Sequence, residues 1–245
     1  MLILQYALVV VLGLLPSIIW LIFFEREEAD HLESAGDLVY AFLLGVATTF
    51  AALIVQLSLV KFVMPASFSA HLPLGITLFS AIEEILKFFA VYLLIRHRRA
   101  FAEPLDAMIF MITVALGFAA VENVATLINQ GGVALAFGSP HALEVVTLRF
   151  LGATLLHCVA SGTVGFHWAV GWIRGRRLWL QLAIGLCIAT ILHAVFNYLI
   201  LATGPASWAV VFAAGIAFFL IIDFEELRVE EVTERAAGMS PPRLP

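Results

Sequence analysis

Ser80-Ala81-Ile82-Glu83-Glu84-Ile85-Leu86-Lys87-Phe88-Phe89 sets two adjacent carboxylates and an ammonium inside an apolar run spanning residues 72–95. Such a run is long enough to cross a bilayer, which takes about 20 apolar residues as a helix. A charged side chain at the centre of a membrane helix costs roughly 2.5–3.5 kcal/mol on insertion scales. Three of them in one span require partners on other spans, or a water-filled site that uses them. The stretch therefore predicts an all-α, polytopic membrane bundle with polar residues gathered in its interior.

The composition agrees. Of 245 residues, 62% are hydrophobic and only 13% charged, with a mean hydropathy of +1.04. A soluble domain is about half apolar and a quarter charged. The net charge of −5 is no guide to a nucleic-acid partner, but no basic patch is large enough to track a phosphate backbone, so none is expected. The two cysteines, Cys158 and Cys187, stand alone in apolar runs and form neither a disulfide framework nor a Cys-x-x-Cys metal site. The N-terminus has no basic region and no small-residue cleavage site, so it reads as a retained first span.

Hydropathy gives about seven spans, at residues 2–24, 38–64, 72–95, 105–128, 143–172, 178–201 and 208–222. Arginines set the orientation. Arg26, Arg96, Arg98, Arg99, Arg174, Arg176, Arg177, Arg228, Arg235 and Arg243 all fall on one side if the spans number seven. Only Lys61 falls on the other. The N-terminus is then outside and the C-terminus cytoplasmic. Residues 1–223 are expected to form one membrane domain, and 224–245 a cytoplasmic acidic helix with a disordered tail around Ser240-Pro241-Pro242. The acidic loop at residues 25–31 reads as solvated, and Asp106 as a helix-start residue.

Inside the spans lie Glu83, Glu84, Lys87, Glu122, Arg149, His157 and His193. Glu83 and Lys87 are four apart and Glu84 and Lys87 three apart, so Lys87 can neutralise either carboxylate within its own helix. The two glutamates point about 100° apart: one can face a cavity while the other faces a neighbouring helix. Glu84 is the expected general base, with Glu83 held by Lys87. Glu122 sits among the small residues of Gly117-Phe118-Ala119-Ala120-Val121-Glu122-Asn123, which let another helix come close. His157, Ser161 and Gly165 form a strip at spacing four on a thin fifth span, expected near the bundle centre. Arg149, two turns earlier, is in reach of Glu122 or Glu83. His193 and Asn197 share one face of the sixth span. At about 1.5 Å per residue, Glu122, His193, Glu84 and His157 lie roughly 9, 12, 18 and 21 Å below the outer ends of their spans. Those depths are compatible with a shared site.

Carboxylates and imidazoles with no paired Ser or Cys nucleophile point to water as the attacking group. In one scheme a glutamate is general base and His and Asn donors stabilise the oxyanion, Asn197 among them. In the other, His157, His193 and Glu122 bind Zn²⁺, which lowers the pKa of its water. The rival readings are a proton-coupled transporter using these residues as a relay, and a non-catalytic scaffold or immunity-type protein. The absence of repeats or Gly/Pro-broken spans disfavours the transporter.

The motifs in order resemble a known family. Glu83-Glu84-Ile85-Leu86-Lys87 matches Glu-Glu-x-x-Lys, and Phe118-Ala119-Ala120-Val121-Glu122-Asn123 matches Phe-x-x-x-Glu-Asn. An isolated His157 follows, then His193-x-x-x-Asn197, on successive spans. Pro104-Leu105-Asp106-Ala107 and Phe24-Glu25-Arg26-Glu27 add to the match. This pattern is similar to the PrsW family of intramembrane proteases, themselves distantly similar to the CAAX-processing and bacteriocin-immunity membrane proteases. The resemblance implies site-1-type cleavage of a membrane-anchored protein substrate, for example an anti-sigma factor, at a bacterial cell membrane. It also implies catalytic roles for Glu83, Glu84, Glu122, His157 and His193. It leaves metal-dependent and glutamate-dependent chemistry both open.

Overall fold

The computed structural model describes residues 2–27, 34–65, 68–98, 103–129, 140–173, 177–203 and 206–236. These residues form helices, with no strand among them. The helices are α1 (Leu2–Glu27), α2 (Ala35–Phe62), α3 (Pro73–Arg98), α4 (Asp106–Asn129), α5 (Pro140–Leu148), α6 (Leu155–Ile173), α7 (Leu178–Thr203) and α8 (Ala206–Ala236). A π-helical turn, Arg149–Thr154, joins α5 to α6, and both of its flanking residues keep helical dihedrals. The fifth expected span is thus one helical rod with a widened turn inside it. Hydrophobic periodicity did not predict that turn.

Among the described residues, six helical runs are long and apolar enough to cross a membrane. The remaining expected span is α3. It has the same 26 residues as α1 and α7, but carries Glu83, Glu84 and Lys87 in its apolar run. The protein is a polytopic helix bundle. Apolar side chains on the outside, such as Phe50, Ile54 and Leu57 on α2, are exposed, as suits lipid-facing positions. The acidic loop beyond Glu27, Arg99, Arg174, Arg176 and the segment 240–242 lie outside the described residues. α8 runs unbroken through position 223, and Phe224 and Leu227 are buried in the main core cluster.

α4 is the axis of the bundle. Over its membrane-length stretch 83% of residues are buried, against 28% for each of α1, α2 and α7. Small residues allow this. At the α2–α4 crossing, a Cβ added to Gly117 would lie 2.0 Å from the carbonyl oxygen of Phe42, and one added to Gly45 would lie 2.0 Å from that of Val114. On the other side of α4, a Cβ on Gly165 of α6 would lie 2.6 Å from the Ala107 carbonyl oxygen. In lipid, where apolar transfer does not drive association, such close backbone approach is a main source of helix affinity. The thin face expected for the fifth span is buried against α4, and it brings His157 and Ser161 to the bundle interior. Ser34 caps α2, its hydroxyl accepting from the Asp37 amide. Asp106 accepts from the Glu103 amide at the start of α4.

Gly117→Ala is expected to destabilise the bundle by at least about 1–3 kcal/mol, the usual cost of overpacking, because the obstructing atom is backbone. Gly215→Ala, where nothing lies within 4 Å of the new methyl, is the control. It should hold or raise the unfolding temperature of detergent-purified protein, since alanine suits a helix interior better than glycine. Equal unfolding temperatures for Gly117→Ala and wild type would refute the tight crossing.

Candidate active site

Four helices bring their polar residues to one place. Glu83, Glu84 and Lys87 come from α3, Glu122 from α4, His157 and Ser161 from α6, and His193 and Asn197 from α7. Their innermost layer is closed to solvent: Glu84, Lys87 and Ser161 are 0% exposed, and His157 and His193 2%. Lys87 Nζ donates to Glu84 Oε1 at 2.8 Å and to His157 Nδ1 at 2.9 Å. It also lies 4.4 Å from the centroid of the Phe118 ring, whose face attracts a cation. Glu84 Oε1 has a second partner in His193 Nδ1 at 2.8 Å. Its Oε2 accepts from the Ser161 hydroxyl at 2.9 Å.

This bonding assigns the histidine tautomers. An ammonium only donates and a carboxylate only accepts. His157 Nδ1 is therefore an acceptor, so its Nε2 carries the hydrogen and donates to Glu122 Oε2 at 2.8 Å. His193 Nδ1 must donate to Glu84, which leaves its Nε2 with a lone pair. That lone pair lies 3.6 Å from Glu83 Oε2. Glu83 Oε1 accepts from Gln56 Nε2 of α2 at 3.0 Å, whereas the buried Oε2 has no hydrogen-bond partner. Two acceptors thus face each other, an arrangement that is favourable only when a proton, a water or a cation is shared between them.

These outward-facing atoms line a cavity of about 510 Å³. Glu83, Glu122, Arg149, His157, His193 and Asn197 all border it. Its rim includes His71 just before α3, Asn129 at the end of α4 and Leu201 near the end of α7. The cavity therefore sits toward one end of the bundle, the outer end in the orientation that the arginines predict. Arg149 braces its wall. The guanidinium donates to Asn123 Oδ1, to Thr126 Oγ1 at 3.1 Å and to Glu122 Oε2 at 3.4 Å, while Asn123 Nδ2 donates to Thr154 Oγ1 at 3.1 Å. The π-helical turn supplies both Arg149 and Thr154 to this brace, in keeping with the frequent use of such turns at functional sites.

The model of the family described as PrsW family intramembrane metalloprotease matches residues 33–223. The chain belongs to the PrsW family. Among similar PrsW proteins is Protease PrsW of Geobacillus kaustophilus, 26% identical over 190 residues, which are 78% of each chain. That of Bacillus subtilis is 25% identical over 201 residues, 80% of this chain and 83% of the relative. That of Clostridioides difficile is 22% identical over 204 residues, 82% of this chain and 81% of the relative. No solved structure matches the chain.

Measured against the sequence reading of this PrsW-family chain, the structure corrects one contact. Lys87 neutralises Glu84, not Glu83, and Glu83 is the one that faces the cavity. Ser161, one turn from His157, bonds Glu84. Among the described residues, Glu84, His157 and His193 form a buried group whose donor atoms all lie within 4.8 Å of one another. Lys87 Nζ touches both Glu84 and His157 of that group, so a divalent ion there would meet an ammonium. The cavity face suits a metal better. There the Nε2 atoms of His157 and His193 stand beside Glu122 and Glu83, the nitrogen and carboxylate donors that zinc takes, and Glu83 Oε2 lacks a partner. Sequence reasoning missed Gln56 and Thr154. Gln56 had a usable signal, as a lone amide deep in span 38–64.

Lys87→Met leaves the Glu84 carboxylate buried without its counter-charge, and breaking such a pair from one side costs about 3–5 kcal/mol. The double variant Glu84→Gln/Lys87→Met is expected to regain most of that loss. Thermal unfolding of the four proteins in detergent measures it. Additive destabilisation by the two single changes would show that the pair is not coupled.

Proposed function

We propose that this PrsW-family protein is an intramembrane endopeptidase of the cell membrane that cuts a membrane-anchored protein near its outer face. The cavity-facing pairs Glu83–His193 and His157–Glu122 would carry the chemistry. The observation that carries the reading is the unpartnered Glu83 Oε2 facing the His193 lone pair at 3.6 Å on the wall of a cavity of about 510 Å³.

A water between Glu83 Oε2 and His193 Nε2 can give a hydrogen to either acceptor, which leaves its oxygen lone pair free to attack a peptide carbonyl. Glu84 holds His193 in the required tautomer by accepting its Nδ1–H. On the opposite wall His157 presents Nε2–H as a hydrogen-bond donor beside Glu122, and the proton that Glu83 takes from the water passes to the leaving amine. The two imidazoles thus face one cavity in opposite tautomers, one accepting and one donating. Asn197, one turn beyond His193, is the donor for the developing oxyanion. Glu83 is the general base in this scheme, and Glu84 and Lys87 position the others. Should the family's metal be present, Glu83, Glu122 and the lone pair of His193 Nε2 would hold it, and His157 would join them only by giving up its Nε2 hydrogen, with Zn²⁺ the ion these donors suit best. It would supply Lewis-acid polarisation of the carbonyl and a more acidic water.

A purified single-span reporter in liposomes tests the scheme. Glu83→Gln should lower cleavage by about 10²–10⁴-fold, the usual contribution of a general base, and leave the unfolding temperature near that of wild type. Glu84→Gln should lower the unfolding temperature as well as activity. A fully active Glu83→Gln variant sinks the assignment. Elemental analysis of the same preparations reads the metal: bound zinc in wild type that is lost in His193→Ala supports ligation at the cavity face, whereas zinc retained in that variant excludes it.

A further inference from the structure

A second cavity, of about 300 Å³, opens off the wall of the first. Thr126, Arg149, Ala153, Phe196 and Ile200 line both. The deeper wall of the second is apolar and comes from the π-helical turn and from α8, through residues such as Gly152, Ala209 and Val210. The polar groups at the junction satisfy each other, since the Arg149 guanidinium donates to Thr126 Oγ1 and to its partners on α4. Glu144 of α5 also borders the side cavity, and the rest of its lining beyond that junction offers a guest apolar contact.

Its size and position fit one kind of guest. A cavity of roughly 150 Å³ lined by aliphatic and aromatic residues takes a benzene ring, so this one has room for the largest apolar side chains. Gly152 keeps it open: a Cβ there would lie 3.3 Å from Val210 Cγ2 and 3.4 Å from Phe196 Cζ. The shared wall places the cavity beside the reactive atoms, because Phe196 lies between His193 and Asn197 in sequence, and Ala153 is one turn before His157. A polypeptide extended at the bond to be cut projects alternate side chains to opposite sides. A side chain next to the scissile carbonyl can thus enter the side cavity while the carbonyl lies against Glu83 and His193.

We propose that the side cavity is a specificity subsite that takes a large apolar side chain of the substrate, such as Leu, Met or Phe, next to the bond that is cut. This rests on the proteolytic reading above. Because the π-helical turn supplies Arg149, Gly152 and Ala153 to the wall, the irregular turn both braces Glu122 and shapes what the enzyme accepts.

Photo-crosslinking and cleavage test this separately. A single-span reporter carrying diazirine leucine beside the cut bond is bound to the Glu83→Gln variant and irradiated. Adducts are expected on Val210 and its neighbours in the side cavity, and Val210→Trp should abolish them. In cleavage assays on an otherwise active chain, Val210→Trp should shift the Leu-to-Ala reporter preference at least tenfold toward Ala while the Ala reporter is cut at the wild-type rate. Gly152→Ala should shift it less, in the same direction, which keeps the test valid if the tryptophan variant folds poorly. Adducts confined to other walls, labelling of Val210 by a diazirine lipid in place of the reporter, or an unchanged preference in both variants would overturn the subsite. Full cleavage by Glu83→Gln with the adducts intact would overturn the catalytic reading and leave the subsite standing.

Discussion

The ion pair between Lys87 and Glu84 organises the interior of this bundle. Both groups are fully buried, in surroundings where an unpaired charge costs several kcal/mol. The pair is tolerable because both groups find further partners on other helices. α6 contributes Ser161 and His157, α7 contributes His193 and α4 contributes the Phe118 ring. Four helices are thereby held in one register by a network that apolar packing alone would not specify. The close glycine crossings along α4 bring backbones near enough for the network to close. Packing supplies proximity and the charges supply position.

The same pair fixes the chemistry of the cavity without touching it. Lys87 donates to one imidazole and Glu84 accepts from the other, so the two rings are forced into opposite tautomers. Each ring then presents its Nε2 to the cavity in a different role. The adjacency of Glu83 and Glu84 is what makes this work on a single helix. A turn of about 100° between neighbours sends one carboxylate into a dry wall and the other into a wet one. The carboxylate closed off from solvent orients the imidazoles, and the one with an unpartnered oxygen is the one we propose to react.

Much of this was legible in the sequence. Hydropathy located the helices, because membrane length and apolar composition are strong local signals. The cost of burying charge marked which residues would meet, and the depths of Glu84, Glu122, His157 and His193 were compatible with a single site. The partner of Lys87 was not legible. Positions three and four residues away are equally reachable on a helix, and the choice between Glu83 and Glu84 was made by where α6 and α7 pack. The π-helical turn was also hidden, since one widened turn leaves the apolar pattern of span 143–172 intact. Gln56 lay in view but was one amide in a long apolar span, with no motif around it.

A protease inside a membrane must bring water to a peptide bond without flooding the bundle. The arrangement here meets that need by depth along one helix. The rim residues His71, Asn129 and Leu201 put the cavity near one end of the bundle, so water reaches Glu83 without crossing the apolar core. Below it, Glu84, Lys87 and Ser161 form a sealed polar floor with no exposed surface. A floor of apolar residues would keep water out equally well but could not hold the imidazoles in their tautomers. A floor of unpaired charges would draw water inward. A fully paired polar layer does both tasks, which explains why an energetically costly Glu-Glu-x-x-Lys stretch sits in the middle of a membrane helix.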